Sequence, residues 1–348
     1  MTKIVGSRSA SFLMLLLIGL FSFGPLTRLV AQDSGNPKGA GPNGGSVHVT
    51  RPKPVESAPR YAGTVPVATI SEIAYGAHAR QVLDFWKAAS STPTPVVFVI
   101  HGGGWKGGSK ERLDRFVDIN RLLKEGISVV AINYRFVTQA DTNSSDPPVH
   151  TPLHDAARAL QFVRMKAEDW NLDKDRVGAA GGSAGACSSL WLAFHDDIKD
   201  VTSSDPVSQQ STRLQAAAVM GAQTTLDPKQ MRDWTPNSKY GGHAFGISGN
   251  RFDAFYQART RLLPWIREYS PYALVTNDDP PVALYYNAKP ELGKPQKDPT
   301  HTSNFGVKLQ EHCLATGTKC VLVHPGATSA QYPTPTDFLI QSLTPQKR

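Results

Sequence analysis

Short apolar runs alternate with helix-like spacing along most of the chain after residue 60. Pro95 to Ile100 is an unbroken run of mainly β-branched and other apolar residues, the composition of a strand buried on both faces. Residues 110–125 then carry apolar side chains at helical spacing, and residues 127–132 form a second apolar run. This alternation predicts a mostly parallel central sheet with flanking helices, an α/β fold.

The alternation continues toward the C-terminus. Thr151 and Pro152 are the residue types that favour a helix N-cap and the first helical position, so we expect a helix to begin there. Further strands are predicted at 176–180, 214–220, 282–286 and 320–323, and further helices at 184–194 and 303–316.

Residues 223–274 interrupt the alternation with a segment rich in aromatic residues, Gly and Arg. Insertions of this length inside a compact domain are commonly lids or binding loops, so we expect a lid between about 223 and 274. A surface excursion with its own small core is the alternative. Four aromatic residues of this segment, and Trp105 earlier in the chain, would either line a pocket or pack in the core. The four are Trp234, Tyr240, Phe245 and Trp265.

The first 60 residues follow a different pattern. Residues 1–31 combine a basic start, an apolar run from Phe12 to Phe21 and a small residue at Ala31, which predicts a secretory signal peptide. The apolar run is shorter than the roughly 20 residues of a spanning helix. Residues 32–60 are rich in Gly and Pro and predict a disordered linker. We therefore expect a secreted or periplasmic protein without a stable membrane anchor after cleavage, its folded domain covering residues 61–348.

Composition narrows the class of protein further. The 348 residues are 40% hydrophobic and 19% charged, which indicates a globular chain. The net charge of +8 falls to +5 without the three basic residues of the predicted signal peptide, which gives no reason to expect a nucleic-acid partner. Three cysteines are too few for a disulfide scaffold, although a pairing of Cys313 with Cys320 stays open. Neither a metal motif nor a nucleotide motif occurs, so no cofactor is expected.

Two glycine-rich turns carry the candidate chemistry, and each follows a predicted strand. The first is the HGGGW sequence at 101–105, and the second is the GGSAG sequence at 181–185. The second fits the G-x-S-x-G pattern, in which a sharp strand-to-helix turn lifts the hydroxyl of Ser183 clear of the sheet. The first turn can present backbone N–H groups to the same place. A tetrahedral intermediate needs such donors, and Gly103, Gly104 and Ala184 are the candidates for this oxyanion hole.

These motifs resemble the α/β-hydrolase fold, and in particular the secreted bacterial esterases that carry an HGGGW motif, a group that includes acetyl esterases and feruloyl-esterase-like hydrolases of plant polysaccharides. The resemblance covers about residues 70–343 and includes the segments 81–84, 133–135 and 155–159. It implies a secreted serine hydrolase that cleaves carboxylic esters, with acyl esters of polysaccharides as one expected class. The expected partner is a small-molecule or polysaccharide-linked ester.

The resemblance also implies an order of catalytic residues: serine, then an acid, then a histidine. The acid is expected after the strand that ends near Tyr286, where Glu291 and Asp298 are the candidates. Asp298 is preferred, because it precedes the helix near Ser303 and resembles the acid of the D-x-x-V-P pattern in related esterases.

The expected histidine is missing from its usual place. Related esterases have a Gly-x-Gly-His sequence after the last strand, and here that position is Ser329. His324 is the nearest substitute and is the predicted base, while His301 and His243 are further candidates; His101 is expected to be structural. Three accounts stay open: a shifted histidine such as His324 or His301, a slow enzyme with an unusual base, and a catalytically silent relative that acts as an exported binding module.

Overall fold

The computed structural model describes residues 60–247 and 251–344. The predicted signal peptide (1–31) and nearly all of the predicted linker (32–60) lie outside the described residues. Within the described residues, eight strands form one sheet. They are β1 (Ile70–Ala74), β2 (Val82–Trp86), β3 (Thr94–Ile100), β4 (Ser128–Ile132), β5 (Leu172–Gly182), β6 (Ala216–Met220), β7 (Val282–Tyr285) and β8 (Cys320–Val323).

The sheet order is β1-β2-β4-β3-β5-β6-β7-β8. The six strands from β4 to β8 along this order run parallel, while β1 and β2 pair in antiparallel fashion at one edge. The predicted mostly parallel α/β sheet is therefore confirmed. The antiparallel pair was not predicted from the apolar pattern, because β1 is short and largely exposed.

Helices cover both faces of the sheet. Their bounds are α1 (Ile119–Lys124), α2 (His150–Met165), α3 (Ala167–Trp170), α4 (Ala184–Phe194), α5 (Pro228–Trp234), α6 (Phe252–Gln257), α7 (Arg259–Tyr269), α8 (Pro271–Leu274), α9 (Asn304–Thr316) and α10 (Pro335–Leu343). The buried apolar residues fall into two clusters, one on each face of the sheet, as expected when helices cover both faces.

The single helix predicted for residues 110–125 is wrong. A 3₁₀ helix at Lys110–Arg115 is followed by a break, and α1 begins only after Asp118, whose carboxylate accepts a hydrogen bond from the Arg121 amide at 3.0 Å. This cap starts a new helix. The break matters for function because it brings Arg112, Arg115 and Phe116 to the same cavity.

The predicted start of α2 is also displaced. Thr151 is not the N-cap, because a turn after Pro147 already places the amide of His150 on the carbonyl of Pro147 at 2.9 Å, and α2 begins at His150. Thr151 therefore lies inside the first turn and is buried. The predicted helix at 184–194 and strand at 320–323 are confirmed to the residue.

The segment between β6 and β7 is largely helical and contains α5 to α8, with a 3₁₀ helix at Gly242–Phe245. Trp234 and Phe245 are buried in the main apolar cluster, and Trp265 packs against it. Trp105 is completely buried and donates its indole N–H to Ser188 Oγ at 3.0 Å. For these aromatic residues the core-packing alternative is confirmed.

The cysteines Cys187, Cys313 and Cys320 are buried free thiols in this structure. No helix within the described residues combines the length and the apolar character that crossing a bilayer requires.

Candidate active site

Ser183 occupies a sharp turn between β5 and α4. Its φ of 53° and ψ of −119° are unfavourable for a residue with a Cβ, and such strain is typical of a serine held at a strand-to-helix elbow. The glycines around it are required by close backbone packing. A Cβ on Gly185 would lie 2.1 Å from the carbonyl oxygen of Ile100, and one on Gly181 would lie 2.6 Å from the same atom. The elbow therefore rests directly on the end of β3.

The two glycine-rich turns meet at this point. A Cβ on Gly102 would lie 2.6 Å from the carbonyl oxygen of Gly182 and 3.3 Å from the Cβ of Ser183. On the other side, a Cβ on Gly182 would lie 2.3 Å from the ring of Phe116. Only glycine allows the oxyanion turn and the aromatic ring to approach the elbow so closely. The two turns therefore lie at one location.

The predicted oxyanion donors are unpaired in the region that the structure describes. The N–H groups of Gly103 and Gly104 have no protein acceptor there, and Gly103 lines the cavity that contains Ser183. Ala184 is the first residue of α4, so its N–H has no partner within the helix. Unpaired backbone amides of this kind can bind a negative oxygen, and the role of these three as an oxyanion hole stays a prediction.

Two histidines hold the oxyanion turn in place. His101 is buried, stacks on Tyr134 with ring centroids 4.2 Å apart, and has its Nδ1 2.7 Å from the carbonyl oxygen of Gly102. Burial lowers the pKa of His101 to about 3, so the ring is neutral and can donate from Nδ1 to this carbonyl. This placement supports the structural role expected of His101.

The second is His243, whose Nε2 lies 2.9 Å from the carbonyl oxygen of Gly104. Burial lowers the pKa of His243 to about 4. His243, considered as a substitute base, is therefore a neighbour of the oxyanion turn and hydrogen-bonds its backbone.

The side chain beside Ser183 is His301. Its Nε2 lies 2.9 Å from Ser183 Oγ, and its Nδ1 lies 2.8 Å from Asp298 Oδ2. The other carboxylate oxygen of Asp298 accepts hydrogen bonds from the amides of Thr300 at 3.1 Å and His301 at 3.3 Å. One turn of chain thus holds the carboxylate and the imidazole in line with the hydroxyl. This is the geometry of a serine–histidine–aspartate triad.

The carboxylate is ionised in this arrangement. Partial burial of Asp298 acts to raise its pKa, but the hydrogen bond and charge of His301, together with the two backbone amides, outweigh it and lower the pKa. An ionised Asp298 accepts a hydrogen bond from the Nδ1–H of His301, which leaves Nε2 as the acceptor that faces the serine hydroxyl.

The end of β6 holds this turn in position. Gln223, which is fully buried, donates its side-chain amide to the carbonyl oxygen of Thr300 at 2.7 Å. Gly221 has a φ of +58°, and a Cβ there would lie 3.4 Å from the Cβ and Cδ2 of His301. The imidazole therefore packs on the backbone just after β6, while Gln223 fixes the chain at Thr300, one residue before His301.

The insertion braces the same loop from behind. Asn237 and Gln296 exchange two hydrogen bonds, at 2.8 and 2.9 Å. Asn304, at the start of α9, donates to the carbonyl oxygens of Trp234 and Glu291. None of the residues 223–247 and 251–274 lines the cavity around Ser183. In this structure the insertion supports the site, and its action as a lid stays a prediction.

The prediction that His324 is the partner of Ser183 is wrong. His324 follows β8, which lies three strands away from β5 at the edge of the sheet, a separation of about 14 Å at the usual strand spacing. Its Nδ1 is 3.4 Å from the carbonyl oxygen of Pro325. Ser329 accepts a hydrogen bond from the amide of Tyr332 at 3.0 Å.

Of the two candidate acids, only Asp298 lies beside His301. Asp298 contacts His301, whereas the carboxylate of Glu291 is half exposed and lies 3.7 Å from Lys294. The sequence contained one signal for the observed arrangement, namely Asp298-Pro-Thr-His301, in which an aspartate caps a turn whose fourth residue is histidine. Gln223 and Gly221 had no sequence signal, because a glutamine and a glycine after a strand have many uses.

A cavity of about 330 Å³ opens over Ser183 and His301. A second cavity of about 490 Å³ adjoins it and shares Asn287, Asp298 and His301 with it. Within the described residues there is no cluster of three or more His, Cys, Asp or Glu side chains able to hold a metal ion.

Comparison with known proteins agrees with this architecture. The BD-FAE family model matches residues 83–296, which is more than half of the chain. The chain therefore belongs to the BD-FAE family, an esterase family of the α/β-hydrolase fold.

Curated relatives match over shorter stretches. Gut esterase 1 of Caenorhabditis briggsae is 35% identical over 113 residues, which are 31% of this chain and 20% of that protein. The probable carboxylic ester hydrolase LipM of Mycobacterium tuberculosis is 32% identical over 157 residues, or 42% of this chain and 32% of that protein. The chain thus spans about a fifth to a third of the length of these relatives.

Among solved structures, a truncated carbohydrate esterase from gut microbiota has a TM-score of 0.60 at 19% identity and covers 81% of this chain and 99% of its own. An acetyl ester-xyloside bifunctional hydrolase from Caldicellulosiruptor lactoaceticus has a TM-score of 0.52 at 21% identity, covering 70% of this chain and 76% of its own. At these identities the likeness shows a shared fold.

Proposed function

We propose that this protein is a serine hydrolase of carboxylic esters, with Ser183 as nucleophile, His301 as general base and acid, and Asp298 as the group that orients the imidazole. The observation that carries the proposal is the 2.9 Å separation between His301 Nε2 and Ser183 Oγ. The membership in an esterase family supports the same reaction class.

The reaction follows from the geometry. Ser183 Oγ attacks the ester carbonyl carbon while its proton passes to His301 Nε2, and Asp298 stabilises the imidazolium through Nδ1. The carbonyl oxygen becomes an oxyanion that the N–H groups of Gly103, Gly104 and Ala184 bind. The intermediate collapses as His301 returns the proton to the leaving alcohol. Water, deprotonated by the same imidazole, then hydrolyses the acyl-enzyme.

A shifted histidine therefore replaces the histidine missing at Ser329. The silent-relative alternative depended on the lack of any base near the hydroxyl, and the position of His301 removes that reason. Nothing observed in the described residues favours a binding module over an enzyme.

The experiment is a stopped-flow assay with para-nitrophenyl acetate. We expect a burst of para-nitrophenol from the wild type, no burst from Ser183→Ala, and a rate lowered by several orders of magnitude in His301→Gln. His324→Gln serves as the matched control and should retain the wild-type burst. Equal rates for the wild type and Ser183→Ala would refute the proposal.

A fluorophosphonate probe gives a second readout that does not depend on the choice of ester. Such probes react with activated serines, so labelling should occur at Ser183 in the wild type and in His324→Gln and should be lost in His301→Gln. An unlabelled wild-type protein would favour the binding module instead.

As a finer proposal, the natural substrates are acyl esters carried by polysaccharides or by small fragments of them, and the protein acts after export as a secreted or periplasmic enzyme. The support is the signal-peptide pattern of residues 1–31 and the resemblance to polysaccharide esterases. Release of acetate from acetylated xylan, with chemically deacetylated xylan as the control, tests the substrate. N-terminal sequencing of the exported protein tests cleavage near Ala31.

A further inference from the structure

Two arginines beside the elbow have no acidic partner. Arg112 and Arg115 line the same cavity as Ser183 and His301, and both side chains are exposed. Within residues 60–247 and 251–344 neither guanidinium makes a hydrogen bond or an ion pair. Arg121, a few residues later, instead pairs with Asp337 at 2.6 Å. The cavity therefore carries two cationic side chains that have no acidic partner among the described residues.

Both arginines belong to the short 3₁₀ segment Lys110–Arg115, which is kinked at Arg112, where φ is −94° and ψ is 15°. Their side chains line the same cavity. Phe116 follows and packs its ring against Gly182, which anchors this segment next to the serine. Like charges at this spacing repel each other, so the pair is unfavourable in the absence of an anion.

Two of the three carboxylates nearby already have partners among the described residues. Asp298, which lines the same cavity, hydrogen-bonds to His301. Glu111 contacts Lys110 at 3.0 Å. A third group, Asp114, lines the neighbouring cavity of about 470 Å³, where it faces Arg60, Arg80, Arg112 and Arg115. Arg112 and Arg115 thus line both of these basic cavities, one of which contains Ser183.

We infer that the ester substrate carries an anionic group, a carboxylate or another oxyanion, which Arg112 and Arg115 bind while Ser183 attacks the ester. The guanidinium groups suit this task because they present planar N–H donors to two oxygens of an anion. This inference rests on the proposed function, and it deepens it by naming the charge class of the substrate. The anionic group can belong to the acyl part or to the alcohol part of the ester.

Two matched substrate pairs distinguish these sources. For the alcohol side, acetate esters of para-hydroxybenzoate and para-hydroxybenzamide differ in one charged group. For the acyl side, the para-nitrophenyl half-ester of adipic acid is compared with its carboxamide. The measured quantity is the ratio of kcat/KM for the anionic member to kcat/KM for the neutral member, in each protein variant.

In the double variant Arg112→Gln/Arg115→Gln we expect this ratio to fall about tenfold in at least one pair, because two exposed charge contacts together are worth about that factor. Arg267→Gln is the matched control. Arg267 is an exposed arginine of α7 that does not line either basic cavity, so its loss should leave the ratio unchanged. A fall in only one pair assigns the anion to that side of the ester.

Salt gives an independent check of the same inference. Raising the ionic strength should reduce the anionic preference of the wild type and have little effect on the ratio in the double variant, because exposed charge contacts are screened. A ratio that changes less than twofold in both pairs, or that changes equally in Arg267→Gln, would overturn the inference.

A binding measurement separates this inference from the proposed function. Calorimetric titration of Ser183→Ala with adipate and with para-hydroxybenzoate requires no catalysis, and the additional Arg112→Gln/Arg115→Gln changes should weaken binding about tenfold. If Ser183→Ala still hydrolyses esters, the proposed function fails, while the titration still tests the arginines. Equal binding with and without the arginines would reject the anion site even in an active esterase.

Discussion

The two halves of the triad are built in opposite ways. Ser183 lies in an elbow whose neighbours Gly181, Gly182 and Gly185 touch the backbone of β3 or the half-buried ring of Phe116, so the position of the hydroxyl is fixed by packing on the sheet. Asp298 and His301 lie in a loop, and their side chains are 62% and 41% exposed. Their mutual position depends on a single turn of chain and on hydrogen bonds from Gln223 and Asn237. The half that contains Ser183, the elbow half, is positioned by packing. The half that contains Asp298 and His301, the loop half, is positioned by polar contacts.

This difference explains what could be read from the sequence. Elbow and oxyanion turn need glycine where a Cβ would collide with backbone, so Gly102, Gly181 and Gly185 leave a recognisable motif. A loop positioned by polar contacts has no such steric requirement. Its histidine can move to any place from which the ring reaches the serine, and here it has moved to the loop that carries the acid.

The helix bounds show the same contrast between features that leave a sequence motif and features that do not. The helix at 184–194 was predicted to the residue because it begins at the elbow itself. The break at residues 116–118, which delivers Phe116 and the two arginines to the site, depends on a single capping aspartate within an otherwise helical pattern. Local capping outweighed the periodicity there.

The largest effect is expected at the loop half. His301→Ala should lower kcat by about 10⁴-fold, because a serine without its base keeps only the contributions of the oxyanion hole and binding. The thermal midpoint should change little, since the ring is exposed and makes few packing contacts. Initial rates with para-nitrophenyl acetate and a melting curve of the same samples measure both quantities. A large loss of stability would contradict the contrast between the two halves.

The elbow half should show the opposite response. Gly185→Ala places a Cβ 2.1 Å from the carbonyl oxygen of Ile100, so the backbone of β3 or α4 must shift. We expect the free energy of unfolding to fall by about 3 kcal/mol or more, with activity lost as a consequence. Urea denaturation measures the change. Gly126→Ala is a control for glycine replacement far from the site, where no atom lies within 4 Å of the new Cβ and only the positive φ of 74° is strained.

Asp298→Asn should have a smaller effect on kcat than His301→Ala. Replacing a buried triad aspartate by asparagine costs about 10⁴-fold in kcat. The side chain of Asp298 is 62% exposed, so its electrostatic contribution is screened and water can also hydrogen-bond the imidazole; we therefore expect a loss of about 10- to 100-fold. Glu291→Gln is the matched control and should behave as the wild type. A loss from Asp298→Asn equal to that from His301→Ala would indicate that the exposed loop closes over the triad when substrate binds.

The smallest expected effect is a change in how the free energy of unfolding depends on pH, and it arises from His101 beside the oxyanion turn. His101 is neutral in the folded protein because burial lowers its pKa to about 3, whereas the unfolded chain binds a proton near pH 6.5. Between these values the unfolded state holds more protons, so the free energy of unfolding should decrease by about 1.4 kcal/mol for each pH unit as the pH falls.

His101→Phe keeps a ring against Tyr134 but removes this titration. The variant should therefore be less stable at pH 7, where the hydrogen bond to Gly102 is lost, and should lose less stability than the wild type between pH 6 and pH 4. Urea denaturation of both proteins across this range tests the expectation, and parallel pH profiles would show that His101 does not link protonation to the packing of the elbow half.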